Sequence, residues 1–428
     1  MTELLVLLNG TLAGRAYANK QGNPLFTYDS QWRSTLDAMP LSLSLPLAAS
    51  EHASATVAAV LWGFLPDNEH VLQSWGTEFQ VSPRNPLSLL ANVGEDCAGA
   101  AQFVRPDRID EILNSANDQS IAWLDESAVA ERLREVRRNA GATRRRGDLG
   151  QFSLPGAQPK IALHRDRNKW GVPQGRVPTT HILKPPTGAY EGYAENEHFC
   201  LNLARRIGLS VCESAVVKYE DEIAICVRRY DRINENGRWQ RIHQEDFCQA
   251  IGVMPQLKYQ NDGGPSPAQI VQVLNDYSSE PKADRENFLL ALIFNWVIGG
   301  TDAHAKNYSL LITSGLRVRL APLYDISSAL PYPDLDRRKL KMAMKVGNHY
   351  RWYEIRLADW LKLGRELGFS AEYMREVLRL VATLTPDAAA SEAHAMQRAG
   401  IAHPIISRLV DEIARSAARC LIMLERQP

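Results

Sequence analysis

The sequence predicts an α+β fold: a small mixed module first, then a strand-rich segment with one helix, then a mostly helical half. Three observations carry this. Asn9-Gly10 lies between two apolar runs in LLVLLNGTLAGRAY, the pattern of a tight hairpin turn. Between 151 and 235 short β-like runs flank one amphipathic helical stretch, ENEHFCLNLARRIGL (195–209). Beyond 235 the helical period dominates, and DRENFLLALIFNWVIGG (284–300) is the most apolar helical segment of the chain.

Taken in order, residues 1–30 read as strands and LSLSLPL (41–47) as a half-buried strand, because Leu and Ser alternate. VAAVLWGFLPDNEHVLQSWG (57–76) has helical spacing interrupted at Pro66. These pieces make a module over residues 1–105. Residues 106–150 follow as a helix and basic linker, with a cap at Asp125 or Ser127. Its arginines, Arg137, Arg138, Arg144, Arg145 and Arg146, fit either a nucleic-acid patch or a solvated helix face. In 151–235, PKIALHR (159–165) and THILKPP (180–186) read as strands, and CESAVVKYEDEIAICVRRYDR (212–232) as two strands around an acidic turn. Residues 236–428 form the helical part, with further helical patterns through 356–427.

Composition narrows the function. The 428 residues carry 49 basic and 49 acidic side chains, so no whole-protein charge draws the chain to nucleic acid or an anionic membrane. The six cysteines show no C-x-x-C pair and no zinc spacing, which predicts buried, reduced thiols in a cytoplasmic protein. MTELLVLLNG has Glu3 and no basic n-region, so no signal peptide is expected. The apolar stretch 288–300 is too short to span a bilayer, and no membrane association is expected.

Phosphoryl transfer needs a base to orient a hydroxyl, metal ligands to offset phosphate charge, and cations to place the phosphates. GTDAHAKN (300–307) puts four residues between Asp302 and Asn307, the D-x-x-x-x-N spacing of a kinase catalytic loop, directly after the apolar helix. The same letters also suit a turn in which Asp302 caps a helix. Asp325, in APLYD after the strand pattern LRVRLAP, stands where a kinase places a second magnesium ligand, although no D-F-G is present. Lys184, ending the strand THILK, could bind phosphates, with Glu195 or Glu197 of the next helix as partner and Glu197 favoured. SLPGAQPK (153–160) could lie over the phosphates by its amides, but it matches neither G-x-G-x-x-G nor a Walker sequence.

Together these segments resemble a known family. SLPGAQPKIAL (153–163), THILKPP (180–186), HQEDFCQAIG (243–252), GGTDAHAKNYSLLI (299–312) and LAPLYDISSAL (320–330) look like successive signatures of the HipA kinases of bacterial toxin–antitoxin pairs. PLSLSLPL (40–47) and LWGFLPDNEHV (61–71) look like that family's N-terminal subdomain. The resemblance implies a two-lobed protein-kinase-like fold with an N-terminal α+β subdomain, an N-lobe over 151–235 and a helical C-lobe. It implies an ATP- and Mg2+-dependent serine/threonine kinase. Asp302 would be its catalytic base, Asn307 and Asp325 its magnesium ligands, and Lys184 its phosphate lysine. Pro155, Gly156, Ala157, Gln158 and Lys160 would form the phosphate-side loop. Arg228, Arg229 and Tyr230 would be the hinge at adenine, His304 and Tyr324 would line the nucleotide pocket, and Ser153 would be an autophosphorylation site. The implied partners are a HipB-like helix-turn-helix antitoxin, operator DNA mainly through that antitoxin, and a protein substrate, an aminoacyl-tRNA synthetase of glutamyl type. Growth arrest and drug tolerance would follow. HQEDFCQ has no role that its residues reveal beyond Asp246 as a helix cap. A small-molecule phosphotransferase would share the D-x-x-x-x-N loop, and a catalytically inactive co-repressor would need none of these polar residues.

Overall fold

A computed structural model of the chain describes residues 2–114, 121–143, 152–173, 177–188 and 190–426. Arg144, Arg145 and Arg146 lie outside the described residues. The chain divides into two units. One comprises Met1–Thr187, Val217–Gln256 and Ser309–Val318, and the other Gly188–Val216, Leu257–Tyr308 and Arg319–Pro428.

The first unit opens with the expected hairpin. Asn9 and Gly10 both take left-handed backbone, φ 49° and 79°, and Leu8 pairs with Thr11. Two consecutive positive φ values make a type I′ turn, whose twist matches that of the strands. Glu3–Leu8 and Thr11–Ala18 sit inside a four-stranded antiparallel sheet, with Pro24–Tyr28 and Ala101–Val104 at its edges. Pro66 interrupts the next helical stretch as its missing N–H requires, leaving helices Ser54–Gly63 and Glu69–Phe79.

Residues 41–47 are turns rather than a strand. Their polar groups find other partners: the Leu43 N–H donates to Glu245 Oε1 at 2.8 Å, and the Ser42 and Ser44 hydroxyls donate to the Gln249 carbonyl at 3.1 and 2.7 Å. Leu41, Leu43 and Leu45 are nonetheless buried. The same contacts explain HQEDFCQ. His243–Asp246 is a strand paired with Ser309–Thr313, Asp246 and Gln249 make a reciprocal cap on the helix Phe247–Ile251, and His243 and Glu245 face the 41–45 turn. Burial pushes the Glu245 carboxyl up to about 8 and the His243 imidazole down to about 4.

A six-stranded sheet follows, in the order Ile121–Leu124, Lys169–Pro173, Ile161–Asp166, His181–Lys184, Glu222–Arg228, Ser214–Tyr219. Helix Glu126–Arg138, capped by Asp125, lays Val129, Leu133 and Val136 on Ile161, Leu163, Trp170, Leu183 and Cys226. Residues 121–138 thus contribute an edge strand and a packed helix to this sheet. The basic face is a set of ion pairs: Arg134 bonds Glu220 and Asp221, and Arg137 bonds Glu222 at 2.7 Å. Both arginines are therefore engaged by the acidic turn 220–222.

The same unit holds a second charge cluster, and this one is buried. Asp96 accepts from Arg232 at 2.9 Å, Arg241 at 3.1 Å and the Thr179 hydroxyl at 2.7 Å. Arg229 holds Asp231 at 2.8 Å and the Cys97 carbonyl at 2.8 Å. Burial alone would raise the Asp96 carboxyl, but Arg232, Arg241, Arg229 and the Thr179 hydroxyl outweigh it and hold it well below the ordinary carboxylate range.

The second unit is mostly helical. Pro281–Ile298 is its core, with Phe288, Leu289, Ile293, Phe294, Val297 and Ile298 all fully buried. The long helices Ala371–Arg398 and Pro404–Glu425 pack on it and on Tyr193–Arg206. A two-stranded ribbon, Lys341–Val346 with His349–Arg351, interrupts the helical pattern that the sequence predicts. All six cysteines are buried, and none forms a disulfide. Among the described residues no helix is long and apolar enough to cross a membrane.

Candidate active site

The apolar helix ends at Ile298 and the chain must turn at once to expose a polar loop. Gly299 takes φ 67°, a left-handed cap. At Gly300 a Cβ would stand 2.3 Å from Asn295 Oδ1, and the Gly300 N–H donates to the Asn295 carbonyl at 2.6 Å. Only glycine fits that close approach. The loop then closes on the carbonyl of Asp302, which accepts from the His304 N–H at 2.8 Å and from Asn307 Nδ2 at 2.9 Å. Asp302 is exposed and His304 buried, with Asn307 between. One carboxylate oxygen of Asp302 accepts from the Tyr259 hydroxyl at 2.6 Å.

Asp325 has φ 53°, left-handed backbone that aspartate tolerates better than most residues. Three contacts hold the chain on either side of it. Leu323 bonds the backbone of Ser210 and Cys212, each at 2.9 Å. The Tyr324 hydroxyl donates to the Lys306 carbonyl at 2.7 Å, which joins this segment to the 302–307 loop. Beyond Asp325, the Ser328 backbone makes a paired contact with the Asn196 side chain, at 2.8 and 2.9 Å. The second unit thereby gathers Asp302, His304, Asn307, Tyr324 and Asp325 onto connected segments.

In the first unit, Lys184 is buried at the end of its strand, opposite Ile225. Ser153 is also buried. Its hydroxyl donates to the Phe64 carbonyl at 2.7 Å and its N–H to the Asp96 carbonyl at 3.0 Å. The loop continues along residues 66–68: the Gly156 carbonyl accepts from the Asp67 N–H at 3.2 Å and the Ala157 carbonyl from Asn68 Nδ2 at 3.1 Å. Gly156 has φ 112°, and Lys160 Nζ, which donates to the Pro155 carbonyl at 2.7 Å, would stand 2.5 Å from any Cβ there. Arg228 is exposed and pairs through its backbone with His181. Arg229 points into the buried charge cluster, so its guanidinium is committed there, and the Tyr230 hydroxyl bonds Gln244.

Family comparisons agree over nearly the whole chain. The HipA N-terminal domain matches residues 4–104 and the HipA-like C-terminal domain matches residues 152–389. Y4mE of Sinorhizobium fredii is 34% identical, over 90% of this chain and 91% of its own. The chain belongs to the HipA family. The serine/threonine-protein kinase toxin HipA of Shewanella oneidensis is 27% identical, over 86% of this chain and 87% of its own. The solved complex of Shewanella oneidensis HipA with HipB and operator DNA has a TM-score of 0.83 at 23% identity, covering 99% of this chain and 98% of that one. The two-lobed α+β kinase-like fold of the HipA kinases is therefore the fold of this chain.

For a HipA kinase the donor set around residue 307 suits magnesium. Asn307 spends its amide nitrogen on the Asp302 carbonyl, which leaves Oδ1 as the atom available to a cation. Asp325 would add a carboxylate. Among the described residues no group of three or more His, Cys, Asp or Glu could hold a metal alone. A site of one carboxylate, one amide oxygen, water and nucleotide phosphates is how proteins commonly hold Mg2+. The sequence left Glu195 and Glu197 open as partners for Lys184, and the structure buries both. It missed Asn196, Asn295 and Tyr259. Asn196 stands in the buried polar run ENE, a signal that reading only the carboxylates overlooks.

Proposed function

We propose that this HipA family kinase transfers the γ-phosphoryl group of ATP, with Mg2+, to a serine or threonine of a protein. The observation that carries the reading is the 302–307 loop. An exposed Asp302 carboxylate and the Asn307 amide oxygen are offered from one short turn locked by its own backbone. Asp302 would accept the proton of the attacking hydroxyl. Asn307 and Asp325 would hold the metal, which offsets phosphate charge when bound. Lys184 would bind phosphate oxygens, residues 155–160 would lie along the phosphates, and the 228–230 segment would meet adenine by its backbone. With Arg229 committed to Asp231, a side-chain role at adenine falls to Arg228 or Tyr230.

By similarity to the Shewanella oneidensis serine/threonine-protein kinase toxin, the kinase would act as a toxin. The HipA resemblance of its motifs implies that it would arrest growth by phosphorylating a translation component, an aminoacyl-tRNA synthetase of glutamyl type. The Shewanella oneidensis complex of HipA, HipB and operator DNA supports a HipB-like antitoxin and operator DNA as partners. Zero net charge and the paired Arg134 and Arg137 favour indirect DNA contact. Ser153 would be the autophosphorylation site and an off switch. A phosphate carries about −1.5 to −2 charge, and the Ser153 hydroxyl is enclosed against Phe64, so the modified loop would have to leave its place.

Purified chain incubated with Mg2+ and radiolabelled ATP tests the reading. Wild type should incorporate phosphate on Ser153, and Asp302→Asn should do so at least about a hundredfold more slowly. Lys184→Ala should weaken ATP binding about ten- to a hundredfold by calorimetry, the worth of a charged hydrogen bond. Unchanged ATP affinity in folded Lys184→Ala would remove Lys184 from the site. Equal affinity of the two Ser153 phosphorylation states would remove the switch.

A further inference from the structure

Tyr259 belongs to LKYQNDGG (257–264), a segment to which the sequence assigns no role. The segment lies along the 302–307 loop. The Ala305 N–H donates to the Lys258 carbonyl at 3.3 Å, and the Lys345 N–H donates to Gln260 Oε1 at 2.7 Å. Between these anchors the Tyr259 carbonyl accepts from the N–H groups of Asp262 and Gly264, each at 3.0 Å. The Tyr259 ring stands edge-on to the His304 imidazole, centroids 5.1 Å apart at 84°. The tyrosine is therefore fixed on both sides by the chain and across its face by the loop it touches.

What it touches is the Asp302 carboxylate. The Asp302 backbone is already held by two donors on its carbonyl, but those bonds leave the side-chain torsions free. The Tyr259 hydroxyl donates to Oδ1 at 2.6 Å, and Oδ2 has no hydrogen-bond partner among the described residues. An exposed carboxylate without that bond would sample several rotamers. With it, one oxygen is anchored and the other is presented in a single direction.

We propose that Tyr259 is a positioning residue for phosphoryl transfer: it holds Asp302 Oδ1 so that Oδ2 faces the acceptor hydroxyl. The inference rests on Asp302 being the base. It assigns to the 257–264 segment the task of aiming that base, as distinct from binding nucleotide. Removing the hydroxyl should slow the chemical step and leave ATP affinity alone, because no bond to the nucleotide is lost.

The test uses the full chain, Mg2+ and radiolabelled ATP, and reads the maximal rate of phosphate incorporation together with ATP affinity by calorimetry. Tyr259→Phe keeps the ring against His304 and should lower the rate about tenfold to a hundredfold, a reasonable share of general-base catalysis. ATP affinity should stay within about twofold. In an Asp302→Asn background the same change should cost nothing further, since the two residues act as one unit. Gln260→Ala loosens one anchor of the segment but keeps the hydroxyl, and should lower the rate by less than Tyr259→Phe does. A wild-type rate in Tyr259→Phe overturns the proposal. So does a faster rate, which would make the tyrosine a plug in the acceptor's place. An equal loss in Gln260→Ala would assign the effect to the segment's folding and overturn it as well. A wild-type rate in Asp302→Asn would sink the base itself, and the positioning role with it, whereas an inactive Asp302→Asn beside a fully active Tyr259→Phe sinks the positioning role alone.

Discussion

The 153–160 and 300–307 segments are both short polar loops that the sequence marks for phosphate chemistry, yet they are secured in opposite ways. In 153–160 the hydroxyl-bearing residue faces inward: Ser153 is fully buried and bonded to Phe64, and the loop's carbonyls are tied to Asp67 and Asn68. In 300–307 the carbonyl of Asp302 is tied down and its carboxylate is exposed. The first arrangement couples a side chain to the packing of the N-terminal module, so changing that side chain should disturb stability. The second separates frame from chemistry, so changing the carboxylate should disturb activity alone.

The largest expected effect is on the catalytic side. Asp302→Asn should lower phosphoryl transfer by about 10²- to 10⁴-fold, and the melting temperature should move by no more than about 2 °C because the group is exposed. A collapse of stability in that variant would erase the contrast between the loops. Next in size is Asp96→Ala. This residue bonds Ser153 through its carbonyl and three arginines through its carboxylate, and removing one partner of a buried charge cluster costs about 3–5 kcal/mol. Because the Asp96 carboxyl is held well below its ordinary value, its contribution is present at neutral pH and fades as pH falls below about 4. Urea unfolding at pH 7 and pH 3 should show the variant's deficit shrinking at the lower pH. An equal deficit at both would mean that the cluster stabilises by packing and not by charge.

A smaller effect is expected at Ser153. Ser153→Ala loses one buried hydrogen bond, about 1 kcal/mol, visible as a small shift in the denaturant midpoint. Ser153→Asp forces a charge into the same space and should cost more or expel the loop, which protease sensitivity near residue 153 would report. If both variants are equally stable, the loop is not fixed by its serine. The smallest effect is expected at Arg137: its guanidinium is half exposed, and its buried partner Glu222 keeps Arg134 Nε at 3.6 Å when Arg137 is removed. Arg137→Ala should cost less than about 1 kcal/mol, and less still in salt. A large loss there would mean that the basic face of helix Glu126–Arg138 carries more than surface pairing.

Much of the fold was legible because it rests on local rules. The Asn9-Gly10 hairpin, the break at Pro66, the Asp125 cap and the apolar helix before Gly299 all follow from backbone preference or short-range periodicity. The spacing of Asp302 and Asn307 was legible for a similar reason, since a turn of that length is closed by its own backbone. Residues 41–47 misled the strand reading because alternation reports burial of every second side chain and not the source of hydrogen bonds, and Glu245 and Gln249 supply those from 200 residues away.

The sequence by itself determined where most strands and helices and the polar 302–307 turn occur, because these depend on side-chain period and on residues that fix φ. Only the tertiary structure decided which charges are buried and which are spent. VRRYDR and the arginines of 134–137 look alike as basic runs, yet Arg229 and Arg232 disappear into a cluster around Asp96 while Arg137 stays at the surface. The tertiary structure alone also joined Tyr259 to Asp302 across 43 positions. The physical reason is that the worth of a charge or a hydroxyl depends on the desolvation and partners around it, which chain neighbours do not specify.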